Sequence, residues 1–329
     1  LEFFSPTPPW EELELRAFNR IAIFLSTPFL CFCRHWAVES SWLIVESALI
    51  EAMPNPWPQF LLVLVALSLT TFLPSALAQK SAITFAGVSL SPGATVRAEV
   101  PLSAQEKSYA SEGGNSAPAN AVAVIAVPRN FDPQKSWPVL IVFSTSDFNR
   151  LNRDDLVEFY RPAALAEGWV LLAGDAAQFA PRDTTGWRAA MTLAALDALH
   201  VSFPGSKKWP VACAGFSGGS KRAGLVAPLL SLAGNRVIGI YLTGINQDRL
   251  SDGYRQFQPG PAFLNTPIFV SSGKRDNIAK LDDQYRVKAS MEQTGFRRVR
   301  LETFSEGHVV ETTRTREALR WFRSLENSR

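Results

Sequence analysis

Short apolar runs without a charge, "VLIVF" (139–143), "WVLLAG" (169–174), "WPVACAG" (209–215), "VIGIYLT" (237–243) and "PIFVSS" (267–272), punctuate the chain from about residue 80 onward. Such runs are too short for core helices and read as strands buried on both faces. Between them lie stretches with apolar residues at helical spacing. These run from Asp154 to about Glu167, through "DTTGWRAAMTLAALDALHVSF" (183–203), from Gly219 to about Leu232, and from Asp282 to about Gln293. Two more strands, "ATVRAEVPL" and "AVAVIAVP", precede this series, and "RVRLETF" and a helix from Thr312 to about Leu325 close it. Strands joined by helices imply βαβ units, a mostly parallel sheet and helices on both of its faces. No repeat period appears, and one domain over 79–329 is the economical reading.

The first eighty residues follow another pattern. "FLLVLVALSLTTFL", Phe60 to Leu73, carries no charge and is shorter than the roughly 20 residues a membrane-spanning helix needs. Met53 precedes it and Ala76-Leu77-Ala78 follows, a small-x-small cleavage pattern. Residues 53–78 are therefore expected to be a signal peptide, and the protein to be secreted or periplasmic, with no stable membrane association after cleavage. The leader lacks Lys and Arg. Residues 1–52 are expected to be an upstream, non-native segment.

Charge excludes little and favours little. The net charge is +3, with no polybasic tail or stripe, so no nucleic-acid partner is expected. Three cysteines, Cys31, Cys33 and Cys213, make neither a metal spacing nor a disulfide framework. No metal or organic cofactor is expected.

The chemistry concentrates after three strands. In a parallel sheet the loops at the carboxyl ends of strands carry function. Ser217 follows "WPVACAG" within Gly215-Phe216-Ser217-Gly218-Gly219, at a strand-to-helix junction. Asp276 follows "PIFVSSGKR", and His308 follows "RLETFSEG". An imidazole in reach of a serine hydroxyl takes its proton during attack and returns it to the leaving group. A carboxylate on the far ring nitrogen fixes the tautomer. Gly215 and Gly219 permit the sharp turn, and the amide of Gly218 at a helix N-terminus can point at a developing oxyanion. His35 lies before the expected cleavage and His200 ends a helix, which leaves His308 as the base. For the acid, Asp248 in "GINQDRL" competes with Asp276. Asp175 reads as a structural loop residue, and Asp282 and Asp283 as a helix start.

With these residues the chain resembles an α/β-hydrolase over about residues 115–325, carried by "VIAVPRNFDPQKSWPVLIVF", "FPGSKKWPVACAGFSGGSKRAG", "PIFVSSGKRDNIA" and "GFRRVRLETFSEGHVVETTRTREALRWF". It is similar to the secreted esterases related to dienelactone hydrolases, polyhydroxybutyrate depolymerases and feruloyl esterases. The resemblance implies a mostly parallel central sheet with helices on both faces, and no large cap domain is expected, because the longest unassigned stretch near the site, "GINQDRLSDGYRQFQPGPAFLNT", is too short for one. The resemblance also implies a nucleophile, acid and base at Ser217, Asp276 and His308, and a small-molecule or polymer-linked carboxylic ester as substrate. A peptidase of the same fold, or a non-catalytic binding protein that keeps the fold, are the alternatives. Many members carry His-Gly after the strand matching "VLIVF"; here the chain reads Ser144-Thr145-Ser146-Asp147. Ser146 is the position matching the second oxyanion donor. Phe148, Trp187 and Tyr254 are the candidate substrate-binding aromatics, with Phe179, Phe257 and Phe263 as further candidates against a background of ordinary packing.

Overall fold

The computed structural model describes residues 82–145 and 147–328. The expectations for residues 1–52 and for the leader at 53–78 lie outside the described residues.

The charge-free runs pair with one another, since a strand with no polar alternation is satisfied only where both faces are covered. After a small hairpin, β1 (Thr84–Phe85) and β2 (Val88–Ser89), the chain contributes eight strands to one sheet. They are β3 (Thr95–Pro101), β4 (Asn120–Ala126), β5 (Val139–Phe143), β6 (Val170–Asp175), β7 (Val211–Phe216), β8 (Val237–Thr243), β9 (Ile268–Gly273) and β10 (Val299–Phe304). β5, β6, β8 and β9 are buried from end to end. β3 and β10, at the two edges, stay partly open and carry the charges Arg97, Glu99, Arg300 and Glu302. Charged edges of this kind discourage pairing with another chain.

The spatial order is β10-β9-β8-β7-β5-β6-β4-β3. β4 runs antiparallel to both neighbours, β3 and β6, and the remaining pairs are parallel. From β5 the chain steps outward to β6 and then crosses back to β7 on the other side of β5. The order therefore reverses between β5 and β7. The loops leaving these two strands diverge there, which opens a crevice at their carboxyl ends.

Residues alternate between the two sides of the sheet. On one side Ile141, Phe143, Leu172, Cys213 and Ile240 pack against α4 (Thr185–Ser202) and α5 (Gly218–Leu232). This side is completed by α1 (Ala104–Ala110), α6 (Arg249–Phe257) and α7 (Leu281–Thr294). On the other side Leu140, Val142, Leu171, Ala212 and Tyr241 pack against α8 (Thr312–Asn327). They also meet a continuous helical segment in which α2 (Asn152–Asp155) passes through a π turn (Leu156–Tyr160) into α3 (Arg161–Ala166). Among the described residues no helix is long and apolar enough to cross a membrane.

Two helices depart from the sequence reading. α1 forms just before the Gly- and Ser-rich loop, started by a capping box in which Ser103 accepts from the Glu106 amide and Glu106 accepts from the Ser103 amide. α6 lies inside "GINQDRLSDGYRQFQPGPAFLNT", read from sequence as unassigned. Its nine residues bury Leu250, Gly253 and Phe257 along one face, a stripe diluted by charged neighbours. The rest of that segment is a 3₁₀ turn, Pro261–Asn265, so it packs on the body and makes no cap domain.

Candidate active site

At the end of β7 the chain turns into α5 through Ser217, whose backbone has φ 55° and ψ −120°. That conformation is costly for a residue with a Cβ and persists only where the surroundings impose it. Here they do. A Cβ on Gly215 would collide with the carbonyl of Gly219, and one on Gly219 with the carbonyl of Phe143. One on Gly218 would stand 2.7 Å from the Thr145 hydroxyl. Three glycines thus let β7, α5 and the loop after β5 meet around one serine. The turn is tied down from β8: Ser217 donates its amide to the Thr243 carbonyl at 2.9 Å. Ser220 donates its hydroxyl to the Gly215 carbonyl at 2.6 Å and accepts from the Thr243 amide at 2.9 Å. The role of Ser220 escaped the sequence reading; a serine three residues past a nucleophile position looks like any helix residue.

The loops after β9 and β10 are laced together. Lys274 donates its amide to the Phe304 carbonyl at 2.8 Å, and Arg275 donates its amide to the Glu306 carbonyl at 3.1 Å. The Arg275 side chain also reaches the Ser305 carbonyl at 2.7 Å. This lacing brings Asp276 and His308 together, with the carboxylate Oδ2 2.7 Å from Nδ1 of the imidazole. Oδ1 of Asp276 accepts from the amides of Ile278 and Ala279, at 2.9 and 2.8 Å. An Nδ1–H donating to the carboxylate leaves Nε2 of His308 as the acceptor nitrogen. The imidazole leans on the Phe216 ring, with 4.6 Å between centroids, and sits above Gly244. Phe216 is in turn braced edge-on by Phe159 of the π turn at 5.6 Å. Among the described residues no hydrogen bond joins the Ser217 hydroxyl to His308. Catalytic contacts of this type are often loose without substrate.

Asp248, the competing acid, is occupied elsewhere. It caps α6, accepting from the Ser251 amide at 2.9 Å, and accepts from the Ser290 hydroxyl at 2.7 Å. Asp175 accepts from the amides of Asn152 and Arg153 at 2.8 and 2.9 Å and is buried. Burial pushes its carboxyl above the ordinary carboxylate range, although Arg188 and these amides favour the ionised form.

A cavity of about 390 Å³ opens beside Ser217 and Gly218. Polar side chains predominate among the described residues of its lining, with Thr145, Asp183, Lys221, Arg222, Asn246, Gln247 and Arg249 set beside the apolar Leu225 and Ile278. Among the described residues, the aromatic rings expected at the site do not line this cavity. Trp187 is buried against a much narrower cleft with Phe179 and Arg188, and Tyr254 stacks on Phe263 and meets Phe296 edge-on. Trp187 is buried, whereas Phe179 is about half exposed. The side chain of Phe148 and the whole of Ser146 lie outside the described residues.

Gly218 opens α5, and among the described residues no acceptor takes its amide hydrogen. Around the loop after β5 stands a set of buried polar groups that the sequence reading missed. Arg188 is 2% exposed and donates to both oxygens of Asp183, at 2.7 and 2.5 Å. Burial works against its charge, but the bonds and charge of Asp183 prevail and raise its pKa. Arg222 donates to the carbonyls of Ser144 and Asp183, at 2.8 and 3.0 Å.

No family model and no curated protein matches the chain. Solved structures do. The esterase Pf2001 of Pyrococcus furiosus is 16% identical over 71% of this chain and 91% of its own, with a TM-score of 0.45. The hyperthermophilic esterase of the archaeon Pyrobaculum calidifontis is 15% identical over 72% and 84%, with a TM-score of 0.49. The α/β serine hydrolase without a lid XC6422 from Xanthomonas campestris is 15% identical over 72% and 97%, also at 0.49. With its sheet order, its antiparallel β4 and a strained serine at the turn from β7 into α5, this chain has the α/β-hydrolase fold.

Proposed function

We propose that the protein is a serine hydrolase of carboxylic esters, acting through an acyl-enzyme on Ser217. The observation that carries this reading is a strained Ser217 after β7 together with the Asp276–His308 pair after β9 and β10, all at the carboxyl ends of strands in one sheet, with the imidazole against Phe216, the residue before the serine. His308 Nε2 removes the Ser217 proton as the hydroxyl oxygen attacks the ester carbon. The carbonyl electrons collapse onto oxygen, where the Gly218 amide stabilises them. The imidazolium, held by Asp276, then protonates the leaving alcohol as the C–O bond breaks. Water repeats the sequence on the acyl-serine, releasing the acid and restoring the hydroxyl. The substrate is a small-molecule or polymer-linked ester, and the reaction needs no metal or organic cofactor. The leader at 53–78 directs the protein out of the cytoplasm, which N-terminal sequencing of the exported form checks.

Purified protein with p-nitrophenyl acetate tests the reading. Ser217→Ala removes turnover down to a residual on the order of 10³-fold over water, with the circular dichroism spectrum unchanged. Wild-type turnover in that variant would remove Ser217 from the mechanism.

A further inference from the structure

We propose that Arg222, seconded by Arg188, is a positioning residue for oxyanion stabilisation, clamping the loop after β5 to the helix that carries Ser217. The proposal rests on the esterase reading above and adds to it a device that no glycine in that loop supplies. Arg222 lies five residues beyond Ser217 on α5. Its Nη1 donates to the Ser144 carbonyl at 2.8 Å and its Nη2 to the Asp183 carbonyl at 3.0 Å. Arg188 comes from α4 and holds the same loop from the other side. Its Nη1 donates to the Ser144 hydroxyl and to Asn152 Oδ1, both at 3.0 Å, and its Nη2 to the Arg150 carbonyl at 2.6 Å. The amide of Ser144 donates to Asn152 Oδ1 at 2.9 Å. Asn152 is itself fixed, donating its side-chain amide to the Gly174 carbonyl at 2.8 Å.

Every polar atom of Ser144 is therefore held, and both ends of the loop, Ser144 and Arg150, are gripped by a buried guanidinium. Thr145, the next residue, fills the space a Cβ on Gly218 would take, its hydroxyl 2.7 Å from that position, beside the amide proposed to face the oxyanion. Burying two arginines is expensive, and apolar side chains would close the same space at less cost. The return is geometric. A guanidinium presents donors in a fixed plane, so Arg222 sets the distance between two backbones as well as joining them. Oxyanion donors work only when fixed in advance of the reaction, and a displacement of about 1 Å costs on the order of 10²-fold in rate.

The experiment compares wild type, Arg222→Met, Arg222→Lys and Ser144→Ala in p-nitrophenyl acetate turnover and in inhibition by phenylboronic acid, which forms a tetrahedral adduct on an active serine. Arg222→Met lowers kcat about 10- to 100-fold while KM moves less than about threefold, and the phenylboronic acid inhibition constant rises by a similar factor. Arg222→Lys, which reaches one carbonyl but not both, falls between the two. The pH profile keeps its midpoint, because the Asp276–His308 pair is untouched. Ser144→Ala, which removes one partner of Arg188, loses about 3- to 10-fold in kcat. A folded Arg222→Met with kcat and inhibition constant near wild type overturns the proposal. So does a rise in KM alone, which would make Arg222 a substrate contact. Loss of folding in both Arg222 variants with Ser144→Ala unchanged would reduce the arginines to structural supports and overturn it as well. Ser217→Ala separates the two readings: if wild type is no more active than Ser217→Ala, the esterase reading fails and this proposal falls with it. A serine-dependent wild type with an indifferent Arg222→Met sinks the clamp alone.

Discussion

Asp276 holds His308 with one carboxylate oxygen and is itself held by the other: Oδ2 lies 2.7 Å from Nδ1, and Oδ1 accepts two amides of its own loop. A carboxylate anchored in this way sets the orientation and tautomer of the ring, with little freedom to follow it.

Asp276→Asn is expected to cut turnover by up to about 10⁴-fold, because an amide can donate to Nδ1 and so favours the wrong tautomer. Asp248→Asn leaves turnover of the same ester near wild type. Its cost in stability is small, at most about 1 kcal/mol, because Asn keeps the oxygen that caps the helix and changes only the bond to Ser290. Steady-state kinetics and urea midpoints of both variants decide the matter; an inactive Asp248→Asn would reverse the assignment of the acid.

Gly244 is expected to be intolerant of a single methyl group. Its φ is 58°, and an added Cβ would stand 2.9 Å from Cε1 of His308 and 3.2 Å from the Phe216 ring. Gly244→Ala displaces the imidazole and adds about 1–2 kcal/mol of backbone strain. The protein stays folded while kcat drops on the order of 10- to 100-fold, read from kinetics alongside thermal unfolding. Wild-type kcat would show that the ring has room to move.

The polar cavity beside Ser217 argues against long acyl chains. In an apolar pocket each buried methylene contributes about 0.8 kcal/mol, whereas here it would meet Lys221, Asn246, Gln247 and Arg249. The p-nitrophenyl series should therefore show kcat/KM falling from acetate to octanoate. A steady rise with chain length would place the acyl group elsewhere.

Asp155 gives stability a pH dependence of unusual sign for a carboxylate. Burial pushes its pKa up to about 6, against the pull of the Arg150 bond. The folded protein thus binds this proton more tightly than the unfolded chain. Its contribution is greatest below pH 4 and is lost as pH rises through about 6, up to roughly 3 kcal/mol in all. Asp155→Asn should narrow the gap between urea midpoints at pH 5 and pH 8. An unchanged gap would mean that the carboxyl titrates normally.

How much of this was written in the sequence depends on the range over which each feature is determined. The buried strands were legible because "VLIVF" or "VIGIYLT" has no stable place except inside a sheet, whatever surrounds it. The turn at Ser217 was legible because Gly215, Gly218 and Gly219 answer a local steric demand. α1 and α6 were hidden because their apolar stripes are short, and their stability comes from the neighbours they cover. The acid was ambiguous in sequence: Asp248 and Asp276 each follow a strand, and only the placement of α6 and α7 shows that Asp248 is a cap. Trp187 and Tyr254, expected at the site, lie outside the cavity beside Ser217, since composition says that a ring will be buried but not against what. Least legible of all were Arg188, Arg222 and Gly244. Each meets an element far apart in sequence, Arg188 and Arg222 at the loop after β5 and Gly244 under His308, and a close approach of that kind exists only once the sheet has assembled.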